Sequence, residues 1–365
     1  MSRGALIDLL KSPLRNILMR EHHNIKSIIE LAWGTKLIPN YSEISSGWLT
    51  EVLRKNGYEA DVKDFSIEKV GTGQLGETRR YQLRYGKPSK DLPNSVIGKF
   101  PSDDETAAKT GKTMGFYKSE VMFYRELALN TRIRTPRPLF AELDDDNNFT
   151  LILEDLYPAK QGDHMVGCSV DSARVALKEA ALLHSAFWND KNLESQEWLY
   201  IPQGAQGFYT TELVNNSWNH FSSLYGKRLE PAVFRACEKF VAQHESWNSP
   251  RTRNRCFSHN DFRVDNMLFK NEEIYVVDWQ TSNYLGVGMD AAYFLGSALT
   301  RDVRKDVEHE LLNEYHKVLL DNGVQNYTFD ELLADYRHYS FAAAVVAIAA
   351  TVIVKQTERG DALFL

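Results

Sequence analysis

Cysteine is scarce in this chain: three residues, at positions 168, 237 and 256 of 365, odd in number, far apart and without metal-ligand spacing. That excludes a disulfide framework and a thiolate zinc site, and it suits a reducing compartment. Excess positive charge is also missing. The 43 Lys and Arg stand against 49 Asp and Glu, a formal charge of -6, which argues against a nucleic-acid-binding protein. Residues 1–16 contain neither a continuous apolar core nor a small-residue cleavage site, so no secretory signal is read there. The longest apolar run, 341–354, is alanine-rich, interrupted at Thr351 and only 14 residues long, short for a membrane span and more like a buried helix. A soluble, cytoplasmic protein is the expectation. Repeats and low-complexity linkers are absent too. A hydrophobic content of 43% with 12% aromatics makes this a folded chain rather than a disordered one, long enough for two domains.

The order of patterns suggests how those domains are arranged. Residues 1–44 read as an amphipathic helical extension, with Leu6, Leu9, Leu10 and Leu14 on one side. Ser45 or Ser46 caps a helix carrying Trp48, Leu49, Val52 and Leu53, which ends near Asn56-Gly57. Strands follow over 62–70, 80–85 and 95–100, then a helix over 115–129. Two more strands, around 140–143 and 150–153, flank the acidic turn 144–148. After Asp155 the chain turns mostly helical, beginning with 172–188. The fold class is therefore α+β and two-lobed: a small β-rich lobe over 45–155 and a larger helical lobe over 156–365.

One stretch carries the chemistry. His259-Asn260-Asp261-Phe262-Arg263-Val264-Asp265-Asn266 has the spacing H-x-D-x-x-x-x-N, and Asp278 follows at the end of the apolar run 274–277. Moving a phosphoryl group from ATP to an alcohol needs a carboxylate near the attacking hydroxyl and hard oxygen donors holding Mg²⁺ against the phosphates. Asp261 fits the first role, and Asn266 and Asp278 fit the second. Short apolar segments on both sides, 256–257 and 267–269, are expected to hold the loop firmly.

An upstream half of the site is legible as well. Gly71, Gly73 and Gly76 form a G-x-G-x-x-G between two strands. A dinucleotide fold would put these glycines between a strand and a helix, so a flap over nucleotide phosphates fits better. Lys99 lies near the end of the third strand. Glu120 falls on the same helix face as Phe116, Phe123, Tyr124 and Leu127, and a carboxylate facing a core needs a cation. Lys99 is the natural partner, read as an α/β-phosphate contact aligned by Glu120. The segment 151–156 is then the lobe connector, with Glu154 and Leu156 offering backbone groups to adenine.

These parts, in this order, resemble the aminoglycoside phosphotransferase and choline kinase superfamily, especially its ecdysteroid-kinase-like and bacterial small-molecule phosphotransferase branches, over roughly residues 45–350. The resemblance implies a protein-kinase-like fold and ATP- and Mg²⁺-dependent phosphorylation of a small-molecule alcohol, with Asp261 as catalytic base, Asn266 and Asp278 as metal ligands and Lys99 as the phosphate-binding lysine. Many aminoglycoside-type members have glycine where this chain has Asn260, and many relatives continue past the position of Leu365. A choline- or ethanolamine-type kinase stays open as a subfamily. So does a catalytically silent nucleotide-binding module, although Lys99, Asp261, Asn266 and Asp278 standing together favour activity. A protein kinase is disfavoured, because Asp278-Trp279-Gln280 replaces D-F-G and no A-P-E segment precedes Asp290.

Other conspicuous residues have ordinary readings. His184 is a hydrogen-bonded core histidine, His259 braces its loop, and Asp290 is a helix N-cap that also steadies the catalytic loop under the family reading. The aromatic segment Trp198, Tyr200, Phe208, Tyr209, Trp218, Phe221 and Tyr225 is either a wall of the acceptor pocket or a core helix pair. Residues 190–250 carry seven Asp or Glu against five Lys or Arg, weak support for a polycationic acceptor. A hydrophobic or steroid-like alcohol suits the aromatic content better, and a choline-like cation could use the same rings.

Overall fold

The computed structural model describes residues 35–71, 75–87, 89–199, 209–249, 253–353 and 360. Gly73, Tyr200, Phe208 and most of the expected N-terminal helical extension lie outside them. The chain divides into two compact units: Met1–Ala159 with Tyr275–Thr281, and Lys160–Ile274 with Ser282–Leu365.

The first unit opens with α1 (Ser46–Lys55), whose N-cap Ser45 accepts the Trp48 N–H on its hydroxyl at 3.2 Å. Then come β1 (Val62–Lys69), β2 (Gly76–Tyr85), β3 (Ser95–Pro101), α2 (Glu105–Thr113), α3 (Phe116–Met122), β4 (Pro138–Leu143) and β5 (Phe149–Glu154). The strands form one antiparallel sheet in the order β1-β2-β3-β5-β4. Alternation along β3 buries Val96, Gly98 and Phe100 on one face and turns Ile97 and Lys99 to the other. Trp48, Leu49, Val52 and Leu53 of α1 pack with Val96, Phe100, Phe140 and Ile152 of the sheet into one core. Deleting a fully buried leucine such as Leu49 from such a core costs about 2–5 kcal/mol.

Two departures from the sequence reading occur here. Helix α2 was not expected, because Glu105–Thr113 carries no apolar stripe; its N-cap Asp104 accepts the Ala107 N–H at 2.8 Å. The helix expected over 115–129 is regular only in α3 and continues as a π turn, Phe123–Leu127, in which Ala128 N–H reaches back five residues to Phe123 O at 2.8 Å. Tyr275–Thr281 also groups with this unit rather than with the residues around it in sequence. Val276 N–H donates to Arg134 O, and the Trp279 ring stacks on Phe123 with centroids 3.6 Å apart.

The second unit begins with β6 (Lys160–Gln161) and the helices α4 (Val170–Ala186), α5 (Lys191–Glu194), α6 (Thr211–Tyr225), α7 (Pro231–Ala242) and α8 (His244–Trp247). After these come β7 (Arg255–Ser258), β8 (Met267–Lys270), β9 (Glu273–Val276), which runs into the segment of the first unit, and β10 (Asn283–Gly286). Helices α9 (Met289–Ala298), α10 (Arg301–Asp321), α11 (Phe329–His338) and α12 (Ala342–Ile353) complete it. β7 pairs with β10, and β6 with β8, so short ladders flank the 259–266 loop. Trp218, Phe221 and Tyr225 of α6 pack with Cys237 and Phe240 of α7 and with Val345 and Ile348 of α12. Of the two roles open to these aromatics, they serve as core. Helical structure runs through Phe329–Ile353, 25 residues, longer than the 14-residue run suggested and sufficient by length and composition to cross a membrane. Its Val345, Ile348 and Ala349 are buried, while Val352 and Ile353 are exposed.

Candidate active site

Within the first unit, Lys99 Nζ lies 2.5 Å from Glu120 Oε1 and 3.5 Å from Asp278 Oδ1. Glu120 is 3% exposed and also accepts the Trp279 backbone N–H. Burial works against the Lys99 ammonium, but the Glu120 and Asp278 carboxylates outweigh it and hold its pKa above the ordinary lysine value. Burial, reinforced by Asp278 and opposed by Lys99, raises the Glu120 carboxyl. Asp278 follows β9 in a left-handed backbone conformation, φ +69°, uncommon for a residue with a side chain. Trp279 fixes that geometry: it is fully buried, stacks on Phe123, and its Nε1–H donates to Thr135 Oγ1 at 3.2 Å. The π turn therefore matters, since it belongs to the segment that presents Phe123.

The second unit holds the H-x-D-x-x-x-x-N loop. Asn266, 5% exposed, donates from Nδ2 to Asp261 O at 2.9 Å and to Asp261 Oδ2 at 2.8 Å. This turns its amide oxygen away from Asp261. Asp261 Oδ1 accepts from Arg263 Nε at 3.0 Å, and Tyr293 makes a further side-chain hydrogen bond to Asp261. Burial disfavours the Arg263 cation, yet Asp261 and Asp265 more than offset this and raise its pKa. Tyr209 lies close enough for the Asp261 charge, after burial, to push its hydroxyl pKa up.

Beneath the loop, Asp290 is fully buried and accepts His259 N–H on Oδ2 at 2.7 Å and Asn260 N–H on Oδ1 at 2.8 Å. Its Oδ2 also pairs with His184 Nε2 at 2.9 Å, while His184 Nδ1 meets Tyr315 Oη at 2.7 Å. Although burial alone would raise it, His184 and the loop donors hold the Asp290 carboxyl below the usual aspartate value. The N-cap reading of Asp290 is corrected: α9 is capped by Gly288 at φ +99°, and Asp290 sits in the first turn with its carboxylate turned to the catalytic loop. His184 is a hydrogen-bonded core histidine, as expected, and its partner is this bracing carboxylate. Asn260 is left-handed at φ +64°; glycine and asparagine are the residues that tolerate such a conformation best, which explains why both suit this position.

The remaining site residues are placed as follows. Gly71, at φ +76°, and Gly76, the first residue of β2, bound the glycine loop. A side chain at Gly76 would meet Phe100 O at 3.0 Å. Glu154 ends β5; its N–H donates to Arg137 O at 2.9 Å and its Oε1 accepts Arg137 N–H at 2.7 Å. Leu156 is buried, and its carbonyl accepts Ala159 N–H. Thus Lys99, Glu120 and Asp278 come together in one unit, and Asp261 and Asn266 in the other. Sequence reasoning missed Arg263 and Tyr293 as partners of Asp261. Only the position of Arg263, two residues after Asp261, could have signalled it; nothing in the sequence signals Tyr293.

Each within its own unit, the Asn266 amide and the Asp278 carboxylate offer hard oxygen donors of the kind a divalent cation such as Mg²⁺ takes. Among the described residues no group of three or more His, Cys, Asp or Glu forms a separate metal cluster.

Comparison with known proteins places this arrangement. A search among curated proteins finds no significant match. The fold is similar to that of choline kinase from Cryptosporidium parvum Iowa II, at 12% identity and TM-score 0.50, covering 93% of this chain and 92% of that one. It is similar to Plasmodium vivax ethanolamine kinase, at 12% identity and TM-score 0.50, covering 96% and 95%. It is also similar to an amicoumacin kinase in complex with AMP-PNP, Ca²⁺ and Ami, at 12% identity and TM-score 0.51, covering 86% and 90%. These likenesses establish the two-part kinase-like α+β fold. In sequence, residues 75–325 match the ecdysteroid kinase-like family, a span that runs from Gly76, the last residue of the glycine loop, through Lys99, Glu120 and Asp261 to beyond Asp290. The chain belongs to the ecdysteroid kinase-like family.

Proposed function

We propose that this protein is an ATP- and Mg²⁺-dependent phosphotransferase that phosphorylates a hydroxyl group of a small molecule. The observation that carries the reading is the contact of Asn266 Nδ2 with Asp261 Oδ2 at 2.8 Å, because it ties one oxygen of the carboxylate to the loop and leaves an amide oxygen for a cation. Family membership and the kinase fold support it, as does the AMP-PNP and Ca²⁺ complex of the similar amicoumacin kinase.

In this reading Lys99, aligned by Glu120, meets the α- and β-phosphates, and the 71–76 loop covers them. Asn266 and Asp278 would hold Mg²⁺, which supplies charge neutralisation on the phosphates. Glu154 and Leu156 offer backbone groups to adenine, apart from the Glu154 N–H, which goes to Arg137, and the Leu156 carbonyl, which accepts Ala159 N–H. The acceptor oxygen forms a bond to the γ-phosphorus as the bond from that phosphorus to the β,γ-bridging oxygen breaks, ADP departs, and the hydroxyl proton passes to Asp261.

The test is ADP production from Mg·ATP over a panel of alcohols, amino-sugars and sterols, with Asp261→Ala as control. Acceptor-dependent turnover that disappears in the variant is expected. Undiminished turnover in the variant would remove the mechanism, and nucleotide binding without turnover for any acceptor would favour a silent module.

A further inference from the structure

Arg263 is the arginine of the 259–266 loop, the proposed mechanism gives it no task, and its contacts are specific. Its Nε donates to Asp261 Oδ1 at 3.0 Å, and its NH1 donates to Asp265 Oδ2 at 2.7 Å. Arg263 is extended, φ -138° and ψ 164°, and precedes the 3-10 turn Val264–Asn266 that carries Asp265, so the chain turns just after Arg263 and its side chain lies between the carboxylates of Asp261 and Asp265. The outer end of the bridge is itself anchored. Asp265 Oδ1 accepts His164 N–H at 2.7 Å and Asp265 O accepts Gln161 Nε2–H at 2.8 Å, while Gly162 N–H donates to Met267 O. The guanidinium is thus fixed to β6 and the turn after it before it touches Asp261.

We propose that Arg263 is a positioning residue for phosphoryl transfer: by spanning Asp261 and Asp265 it sets the rotation of the Asp261 carboxylate, so that Oδ2 stays on Asn266 and the acceptor hydroxyl meets a preset oxygen. The inference rests on the proposed phosphotransferase function. Asn266 alone holds one carboxylate oxygen and leaves rotation about the Cβ–Cγ bond open; Arg263 closes it. A planar fork can serve two carboxylates at once, whereas a lysine ammonium at this position reaches only one with good geometry.

The experiment compares the wild type with Arg263→Lys, Arg263→Ala, Asp265→Asn and Asp261→Ala, measuring kcat and KM for Mg·ATP with the best acceptor of the panel and with water as acceptor. For Arg263→Lys we expect kcat to fall about 10- to 100-fold, the scale on which small misplacements of reacting groups act, with KM for ATP changed less than about twofold. Added guanidinium should restore part of the kcat of Arg263→Ala, which a merely structural role would not do. Asp265→Asn, which keeps its carbonyl acceptors but weakens the bridge, should lower kcat about 3- to 10-fold, and combining it with Arg263→Lys should add little further loss. Wild-type kcat in Arg263→Lys, with Asp261→Ala inactive, would overturn the inference and leave the phosphotransferase reading standing. An active Asp261→Ala would remove that reading and this inference with it. Should Arg263→Lys fail to fold, Asp265→Asn decides: unchanged kcat overturns the proposal.

Discussion

Replacing Asp290 tests how the catalytic loop is held. The carboxylate is fully buried and receives three donors, the backbone N–H groups of His259 and Asn260 and the ring of His184, at 2.7, 2.8 and 2.9 Å. Asp290→Ala strands all three in a site without water access. A stranded buried donor costs about 1–3 kcal/mol, and partial relaxation of the loop brings the expected total to about 3–5 kcal/mol. At ~2–4 °C per kcal/mol for a domain of this size, the melting temperature should drop by ~6–20 °C. Asp290→Asn keeps one acceptor oxygen and turns an amide N–H₂ toward a donor, so it should lose about 2–3 kcal/mol. Thermal unfolding by circular dichroism measures this, and kcat should fall in both variants because Asp261 follows directly after the two braced residues. The folded-state pKa of Asp290 lies below the ordinary 3.8; its contribution is therefore present above pH 3.8 and lost as pH falls through the depressed value. Asp290→Asn within about 0.5 kcal/mol of wild type would refute the reasoning, since changes of that size are typical of surface positions without such partners.

Other consequences follow from the same geometry. Lys99→Met leaves the Glu120 carboxylate buried beside Asp278 and should cost about 2–4 kcal/mol in denaturant unfolding, while Lys99→Met with Glu120→Met together should recover most of that loss. Asn260→Gly should fold normally, and Asn260→Val should lose about 2 kcal/mol or more because a β-branched residue resists φ +64°; comparable melting temperatures for the two would contradict this. His244 is 1% exposed with neither ring nitrogen hydrogen-bonded, and burial lowers its pKa below 6.5. It is buried neutral, so stability should be full above pH 6.5 and decline as pH falls below it. His244→Phe should flatten that part of the pH–stability curve.

Much of this was legible in the residues. The Ser45 cap, the five strands of the first unit and the pairing of Lys99 with Glu120 follow from local rules: a hydroxyl before an apolar period of 3.6, alternation of period two, and the need of a core-facing carboxylate for a cation. What escaped depends on tertiary context. Helix α2 offers only Ala107, Ala108 and Gly111 to its inner face, too small an apolar stripe to read, and its Asp104 cap is the signal that marks it. The π turn at Phe123–Leu127 gives no distinct periodicity, and its consequence, the stack of Phe123 on Trp279, joins segments far apart in sequence. Asp290 had the composition of a cap, but Gly288 took that position and freed the carboxylate for the loop. The aromatics of α6 had two readings until their partners in α7 and α12 were known. Arg263 was visible as a charge, not as a bridge, because neither hydrogen bond can be read from spacing alone.

The most direct measurement is a crystal structure with AMP-PNP and Mn²⁺, the cation located by its anomalous signal. The account predicts one cation bound to the phosphates and to both Asn266 and Asp278, with Lys99 on the α- and β-phosphates and Asp261 facing the γ-phosphate. A nucleotide bound with its cation touching neither Asn266 nor Asp278 would contradict it.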